Sequence, residues 1–321
     1  MGAGNETVIA EFILEGFSGL DQRLQLFLSL LLLLIYLTTV MGNTVIIFLV
    51  CVDHRLQTPM YFFISNLAFL EIWFTSSTTI TLLVILKRKT ISFYGCLAQS
   101  YFYFLQGTTE YALLAVMSYD CYVAICSPLH YSNIMRKKVC MWLVVASWLC
   151  VFFSILIPTV MKLQLPFCGP NTINHFFCDS APLMHLACAD IWLVEFIDFI
   201  ISLPILLGSL LLAVFSYFYI ICAVIRTPSA TGKQKAFSTC ASHFTVVTIG
   251  CGTSIIFIYV CPSQTNSMNL NKVASLVTTA FNPMLNPFIF SLRNQKVKEA
   301  LKDLASKSVG AHRLGLHSQR A

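Results

Sequence analysis

Charge is what this sequence has least of. Only 11% of its 321 residues are Asp, Glu, Lys or Arg, against roughly 25% in an average soluble domain, while 57% are hydrophobic. Water could not solvate a surface drawn from such a pool, which excludes a soluble globular domain. Internal repeats, low-complexity stretches and hydrophilic blocks are also missing, and the longest joint between apolar runs lies at about 162 to 194. The start of the chain lacks the basic segment and cleavage site of a removable signal peptide and carries Glu6, Glu11, Glu15 and Asp21 instead, so the first apolar run is expected to stay as an uncleaved anchor. No phosphate-binding glycine loop, nucleophile motif or metal-ligand cluster occurs, which leaves no enzyme chemistry to assign. No cysteine pair has the spacing and His or Asp company of a zinc site. Neither a transition-metal site nor a nucleic-acid partner is expected.

Long apolar runs are what the chain has in abundance. A bilayer core takes about 20 such residues per helical crossing, and seven runs qualify, at 24–50, 58–84, 96–126, 139–161, 195–225, 237–260 and 272–291. They are continuously apolar, unlike the alternating strands of about ten residues that build barrels. The expected fold is therefore an all-α seven-transmembrane helix bundle over 24–291, with a tail over 1–23 and an amphipathic helix and tail over 292–321. Inside the runs stand Asn43, Asn66, Glu71, Glu110, His243 and Asn286, which mark a bundle with a polar interior. Pro283 and Pro287 bracket Asn286 and suit a bend. After the last run, Leu292, Val297, Leu301 and Leu304 fall along one side with Arg293, Lys296, Lys298 and Lys302 around them, the pattern of a helix lying on membrane lipid.

Basic residues of short loops stay on the cytoplasmic side. With the N-terminus outside, the 20 Lys and Arg divide fourteen inside to six outside, although Lys87, Arg88 and Lys89 run against the trend. The sequon at Asn5 is usable only by a lumenal tail. Four of the 13 cysteines, Cys96, Cys168, Cys178 and Cys188, then fall in outer segments, where an oxidising compartment permits disulfides. Four cysteines allow three connectivities. Most of the others, such as Cys51, Cys140, Cys150, Cys222 and Cys240, read as small packing residues.

Several short motifs carry a closer likeness: "GN" at 42–43, "PMYFFISNLAFLE" at 59–71, "MSYDCYVAICSPLHY" at 117–131, "SY" at 216–217, "KAFSTCASHF" at 235–244 and "PMLNPFIFSLRN" at 283–294. Spread in order over the whole bundle, they resemble the odorant (olfactory) receptors of the rhodopsin-like G-protein-coupled receptor superfamily. The resemblance implies the pairings Cys96 with Cys178 and Cys168 with Cys188. It also implies a small-molecule pocket on Tyr103, Phe104, Gly107 and Thr108, on Ile201 and Ile205, and on Cys251, Ser254, Ile255 and Ile258. That lining is apolar with a few hydroxyls and no charge, which suits a neutral volatile; an ammonium would need a counter-ion. Glu71, Glu110, Asn43 and Asn286 fall where such receptors hold a sodium ion as an allosteric modulator, and oxygen ligands suit it; no other cofactor is expected. The implied partners are a small odorant, a heterotrimeric G protein of the stimulatory or olfactory class that raises cyclic AMP, membrane lipid and trafficking helper proteins. The implied location is the plasma membrane of olfactory sensory cilia, with the N-terminus extracellular and the C-terminus cytoplasmic.

The coupling residues implied by the resemblance are Asp120, Cys121, Tyr122, Tyr217, Lys235, Asn286, Pro287 and Phe290. About 36 Å of helix separates Cys96 from Asp120, so Asp120 belongs to the cytoplasmic end. Here the sequence departs from its family. Cys121 stands where the family has arginine, and a thiol offers none of the five guanidinium donors. Phe290 replaces a tyrosine whose hydroxyl would meet Tyr217, and Cys251 replaces a tyrosine at the pocket floor. Weakened coupling is expected, with Asp120 satisfied by another donor such as Tyr131 or a loop cation. The alternatives are a signalling-poor odorant-binding receptor and, more remotely, a transporter or channel using the two glutamates, though the inverted repeats of transporters are missing.

Overall fold

In the computed structural model, residues 10–16, 21–87, 89–168, 170–226, 243–250, 275–304 and 306 are described. Long helices dominate: α1 (Gln22–Val52), α2 (Pro59–Lys87), α3 (Phe93–Cys126), α5 (Lys137–Leu163) and α7 (Trp192–Arg226), with the short α4 (Tyr131–Ile134) and α6 (Ser180–Met184) in the joints. Residues 243–250 form α8, and a π-helical turn at Val277–Phe281 leads into α9 (Asn282–Arg293). A terminal helix covers 295–304.

The helices are turned inside out relative to a soluble protein. Along α1, Leu26, Leu30, Leu34, Leu37 and Met41 are 55% to 65% exposed, whereas Thr39 and Asn43 are buried on the opposite side. Lipid solvates the apolar stripe, so polar side chains must find partners between helices. α1, α5 and α7 are long and apolar enough to cross a membrane on length and composition. α3 gives up hydropathy to hold the centre: Ser100, Gln106, Thr109, Ser118 and Asp120 are all buried along it. It packs against α2, α5 and α7.

Close packing explains two glycines. Ser92 caps α3 by accepting from the Gly95 N–H at 3.2 Å. A Cβ on Gly95 would lie 2.9 Å from that oxygen, so the cap needs glycine there. In α1, a Cβ on Gly42 would lie 2.9 Å from Pro287 Cγ, and glycine lets α1 and α9 close beside the proline.

Part of the N-terminal segment expected as a tail is a strand. β1 (Glu11–Leu14) pairs antiparallel with β2 (Thr90–Ser92) and parallel with β3 (Thr172–Ile173). Alternation puts Phe12 and Leu14 on one face, both essentially unexposed, and the Phe12 ring meets Phe93 and Phe167 at 6.0 Å. Two disulfides brace this end, Cys96–Cys178 and Cys168–Cys188. The first holds the 164–191 joint against the start of α3, with Cα atoms 5.4 Å apart. Buried Lys162, from the last turn of α5, donates to Ser180 Oγ at 2.7 Å and pairs with Asp198 of α7 at 2.7 Å.

At the opposite end, Val297 and Ala300 of the terminal helix are buried in the main core, with Leu301 and Leu304 packed beside them. The apolar side of that helix therefore meets the bundle. Tyr61 donates to Asn294 Oδ1 at 2.8 Å, and Arg55 bridges Asp53 and Asp303 at 2.7 and 2.6 Å.

Candidate functional site

Three sites follow from this packing. The first is a cavity of about 360 Å³ toward the disulfide end. α3 supplies Tyr103, Phe104, Gly107, Thr108, Glu110 and Tyr111; α7 supplies Ser202, Ile205 and Leu206; the seventh span supplies Ser275, Thr278 and Asn282; Phe74 and Asp179 complete it. Tyr103, Phe104, Gly107, Thr108 and Ile205 are thus brought together. Ile201 does not line it: Ser202, Ile205 and Leu206 form the i, i+3, i+4 stripe that faces inward, and Ile201 falls to the side of that stripe. Cys251, Ser254, Ile255 and Ile258 lie outside the described residues.

One expectation is corrected here. The sequence predicts an uncharged lining, yet Glu110 and Asp179 both border the cavity. Asp179 arrives through the disulfide: it follows Cys178, which is tied to the start of α3, so the loop residue beside it must hang over α3. That covalent constraint was the sequence signal for it. Asp179 Oδ1 accepts from the Ser180 N–H at 2.7 Å. Burial pushes its carboxyl above the ordinary carboxylate range, while the Ser180 N–H and the Lys162 charge pull it back. Ser275, Thr278 and Asn282 were also missed, although their i, i+3, i+7 spacing is that of one helix face.

The second site is the polar heart of the bundle. Asn286 donates to buried Glu71, and Glu71 and Glu110 are near enough to repel each other. Asn43 Nδ2 donates to the Thr39 and Pro283 carbonyls at 3.0 and 3.4 Å, which joins α1 to the seventh span. Its Oδ1 is buried with no hydrogen-bond partner among the described residues, as is Thr75 Oγ1, one turn along α2 from Glu71. Glu110 reaches in two directions, to the cavity and to α8, where a Cβ on Gly250 would lie 4.0 Å from its Oε1.

The third site is the opposite end of α3. Asp120 is 1% exposed and accepts from the Tyr131 hydroxyl at 2.9 Å. Of the donors expected from the sequence, α4 supplies the one used. Cys121 is buried in an apolar cluster with Tyr217 and Ile220, and Tyr122 packs edge-on to Tyr219 at 5.8 Å. The Tyr217 hydroxyl meets His243 Nδ1 of α8, while Phe290, 3% exposed, is part of the main core. Pro287 packs against α1 at Gly42. Lys235 and Asn5 lie outside the described residues.

Comparison with known proteins points one way. Residues 32–307 match the olfactory receptor family model. Human olfactory receptor 6J1 is 50% identical over 94% of this chain and 87% of its own length. Human olfactory receptor 6F1 is 48% identical over 94% and 98%, and mouse olfactory receptor 6E1 is 48% identical over 94% and 97%. Among solved structures, squid rhodopsin superposes with a TM-score of 0.64 at 18% identity, over 90% of this chain and 87% of that one.

Proposed function

The chain belongs to the olfactory receptor family, and on that premise we propose that it binds a small, mostly apolar, neutral volatile in the cavity between α3, α7 and the seventh span and activates a stimulatory, olfactory-type G protein to raise cyclic AMP. It is a multi-pass signalling receptor of the plasma membrane and not an enzyme. The lining of the cavity carries the ligand reading. A carboxylate ligand would meet Asp179 and Glu110 and no cation among the described lining residues. An ammonium would have to compete with Lys162 and the Ser180 N–H for Asp179, and with the sodium ion proposed below for Glu110. A neutral molecule with one hydroxyl or carbonyl escapes both penalties and buries its apolar body against Phe74, Tyr103 and Phe104.

Two bridges at one end suit an oxidising exterior, which supports an extracellular N-terminal strand and a cytoplasmic Asp120 end. Glycosylation at Asn5, passage to sensory cilia and trafficking helpers belong to the same reading. The four residues Glu71, Glu110, Asn43 and Asn286 would hold a sodium ion in the resting state. The unpartnered buried oxygen of Asn43 and the acidic pair fit such an ion, which would supply the positive charge that two close carboxyl groups lack.

Coupling is reduced but retained. Tyr131 satisfies Asp120 without an arginine, so the inner end of α3 is folded and closed. Cys121, however, presents no cation to a G protein or to Tyr217. A signalling-poor, odorant-binding receptor is the second reading, favoured by Tyr217 being engaged with His243 while Phe290 brings no hydroxyl. Wild type and Cys121→Arg, at matched surface levels, separate the two in a cyclic AMP assay against a panel of neutral odorants. A wild-type response that the arginine raises supports the first reading, and a response from the arginine variant alone supports the second. A Cys121→Arg response no larger than wild type, in protein at the same surface level, would refute the role given to Cys121.

A further inference from the structure

A second cavity, of about 260 Å³, lies between α2 and α3 and shares only Tyr103 with the first among the described lining residues. We propose that it is a separate binding site for a compact aryl or alicyclic ketone or aldehyde, held by a hydrogen bond from Gln99 between aromatic walls. The proposal does not depend on the odorant reading of the first cavity.

The walls are built before any ligand arrives. Trp73 stacks on Trp148 at 5.7 Å and leans on Phe102 at 6.0 Å. Phe177 lies against Tyr103 at 4.3 Å. Rings fixed by other rings give up little freedom when a flat or cyclic body slides between them. The volume falls just under the roughly 300 to 1,000 Å³ of ordinary ligand pockets, which selects a compact molecule.

The polar groups choose its functional group. Hydroxyl hydrogens are already committed on α2: Ser77 to the Phe74 carbonyl at 2.9 Å or Gln106 Oε1 at 3.1 Å, Thr78 to the Phe74 carbonyl at 2.9 Å and Thr81 to the Ser77 carbonyl at 2.8 Å. Gln99 differs. Its Oε1 accepts from the Cys178 N–H at 3.2 Å, and since that backbone group can only donate, the amide orientation is set. The Gln99 NH2 is left as a donor with no hydrogen-bond partner among the described residues, in a cavity whose described lining carries no formal charge. A ketone or aldehyde oxygen matches it, whereas a carboxylate or ammonium would enter without a counter-charge.

The test uses full-length receptor in lipid nanodiscs and 4-fluoroacetophenone followed by 19F NMR, which needs no G protein and so is read apart from signalling. Gly107→Trp blocks the first cavity, because a Cβ there meets nothing within 4 Å and the indole is directed into open space. Saturable binding is expected to survive Gly107→Trp and to be abolished when Thr81→Phe is added. Gln99→Glu keeps an oxygen for the Cys178 N–H but loses the donor, and weakens binding about tenfold. 1-Ethyl-4-fluorobenzene, of similar shape without the acceptor, should be indifferent to Gln99→Glu. Loss of all saturable binding in Gly107→Trp overturns the proposal, as does binding in that background that Thr81→Phe leaves intact. Thermal melting of each variant identifies any that misfold, and Thr81→Phe decides the matter if Gln99→Glu is one of them.

Discussion

Asp120 shows how one residue's state is set by a neighbour eleven positions away. Buried, it needs a donor, and with Cys121 beside it the Tyr131 hydroxyl serves. Tyr131→Phe should therefore destabilise the receptor by about 1–3 kcal/mol, the cost of stranding a buried acceptor, read as a lower melting temperature in detergent. The same change in a Cys121→Arg background should cost less, because the guanidinium offers replacement donors, and a double-mutant cycle reports the coupling. An additive cycle would mean that arginine at 121 does not reach Asp120. Cys121→Arg by itself is expected to raise odorant-driven cyclic AMP, for the reason that a thiol cannot make charged contacts with the G protein.

Between elements, closeness of approach decides. α1 and α9 meet where Gly42 faces Pro287, and a Cβ at Gly42 would lie 2.9 and 3.0 Å from the proline Cγ and Cβ. The ring cannot rotate away, so Gly42→Ala should cost about 1–3 kcal/mol of overpacking, again visible in the melting temperature; an unchanged melt would mean the helices slide apart freely. The terminal helix is tied differently, through Arg55 to Asp53 and Asp303. Hydrogen bonds from Arg55 hold the Asp53 carboxyl at about 2, below its ordinary 3.8. A lowered carboxyl stabilises the folded state above pH 3.8 and loses that contribution as pH falls through about 2. Hydrogen exchange over 295–304 should be faster in Arg55→Ala than in wild type at neutral pH, because Arg55 ties that helix to the turn after α1 through Asp303.

Across the whole molecule, the two ends are held by different means. Helix packing and two surface ion pairs of Arg55 close the Asp120 end, whereas strands, aromatic rings and two disulfides close the other. β1 is integral to that closure, since Phe12 is wholly buried against Phe93 and Phe167. Phe12→Ala should cost about 3–5 kcal/mol and reduce the folded receptor reaching the cell surface, measured by antibody staining against total protein. Equal surface levels would show that the N-terminal strand is dispensable. The terminal helix makes the complementary point: Val297 and Ala300 face the core and not lipid, so its apolar stripe serves the fold before any membrane contact.

Lipid as the solvent, helices as the elements and the family itself were legible in the sequence, because hydropathy accumulates over about 20 consecutive residues and motifs such as "PMYFFISNLAFLE" are local strings. Glu71 and Asn286 were legible as interior polar groups for the same reason. Their bond across 215 positions, the arrival of Asp179 over a cavity expected to be uncharged, the double role of Glu110 and the strand at Glu11–Leu14 were decided only by tertiary structure. The apolar content of a segment is a sum over its own residues. Which face of a helix turns inward, and which loop a disulfide draws across it, depends on residues far along the chain and is settled when the bundle closes.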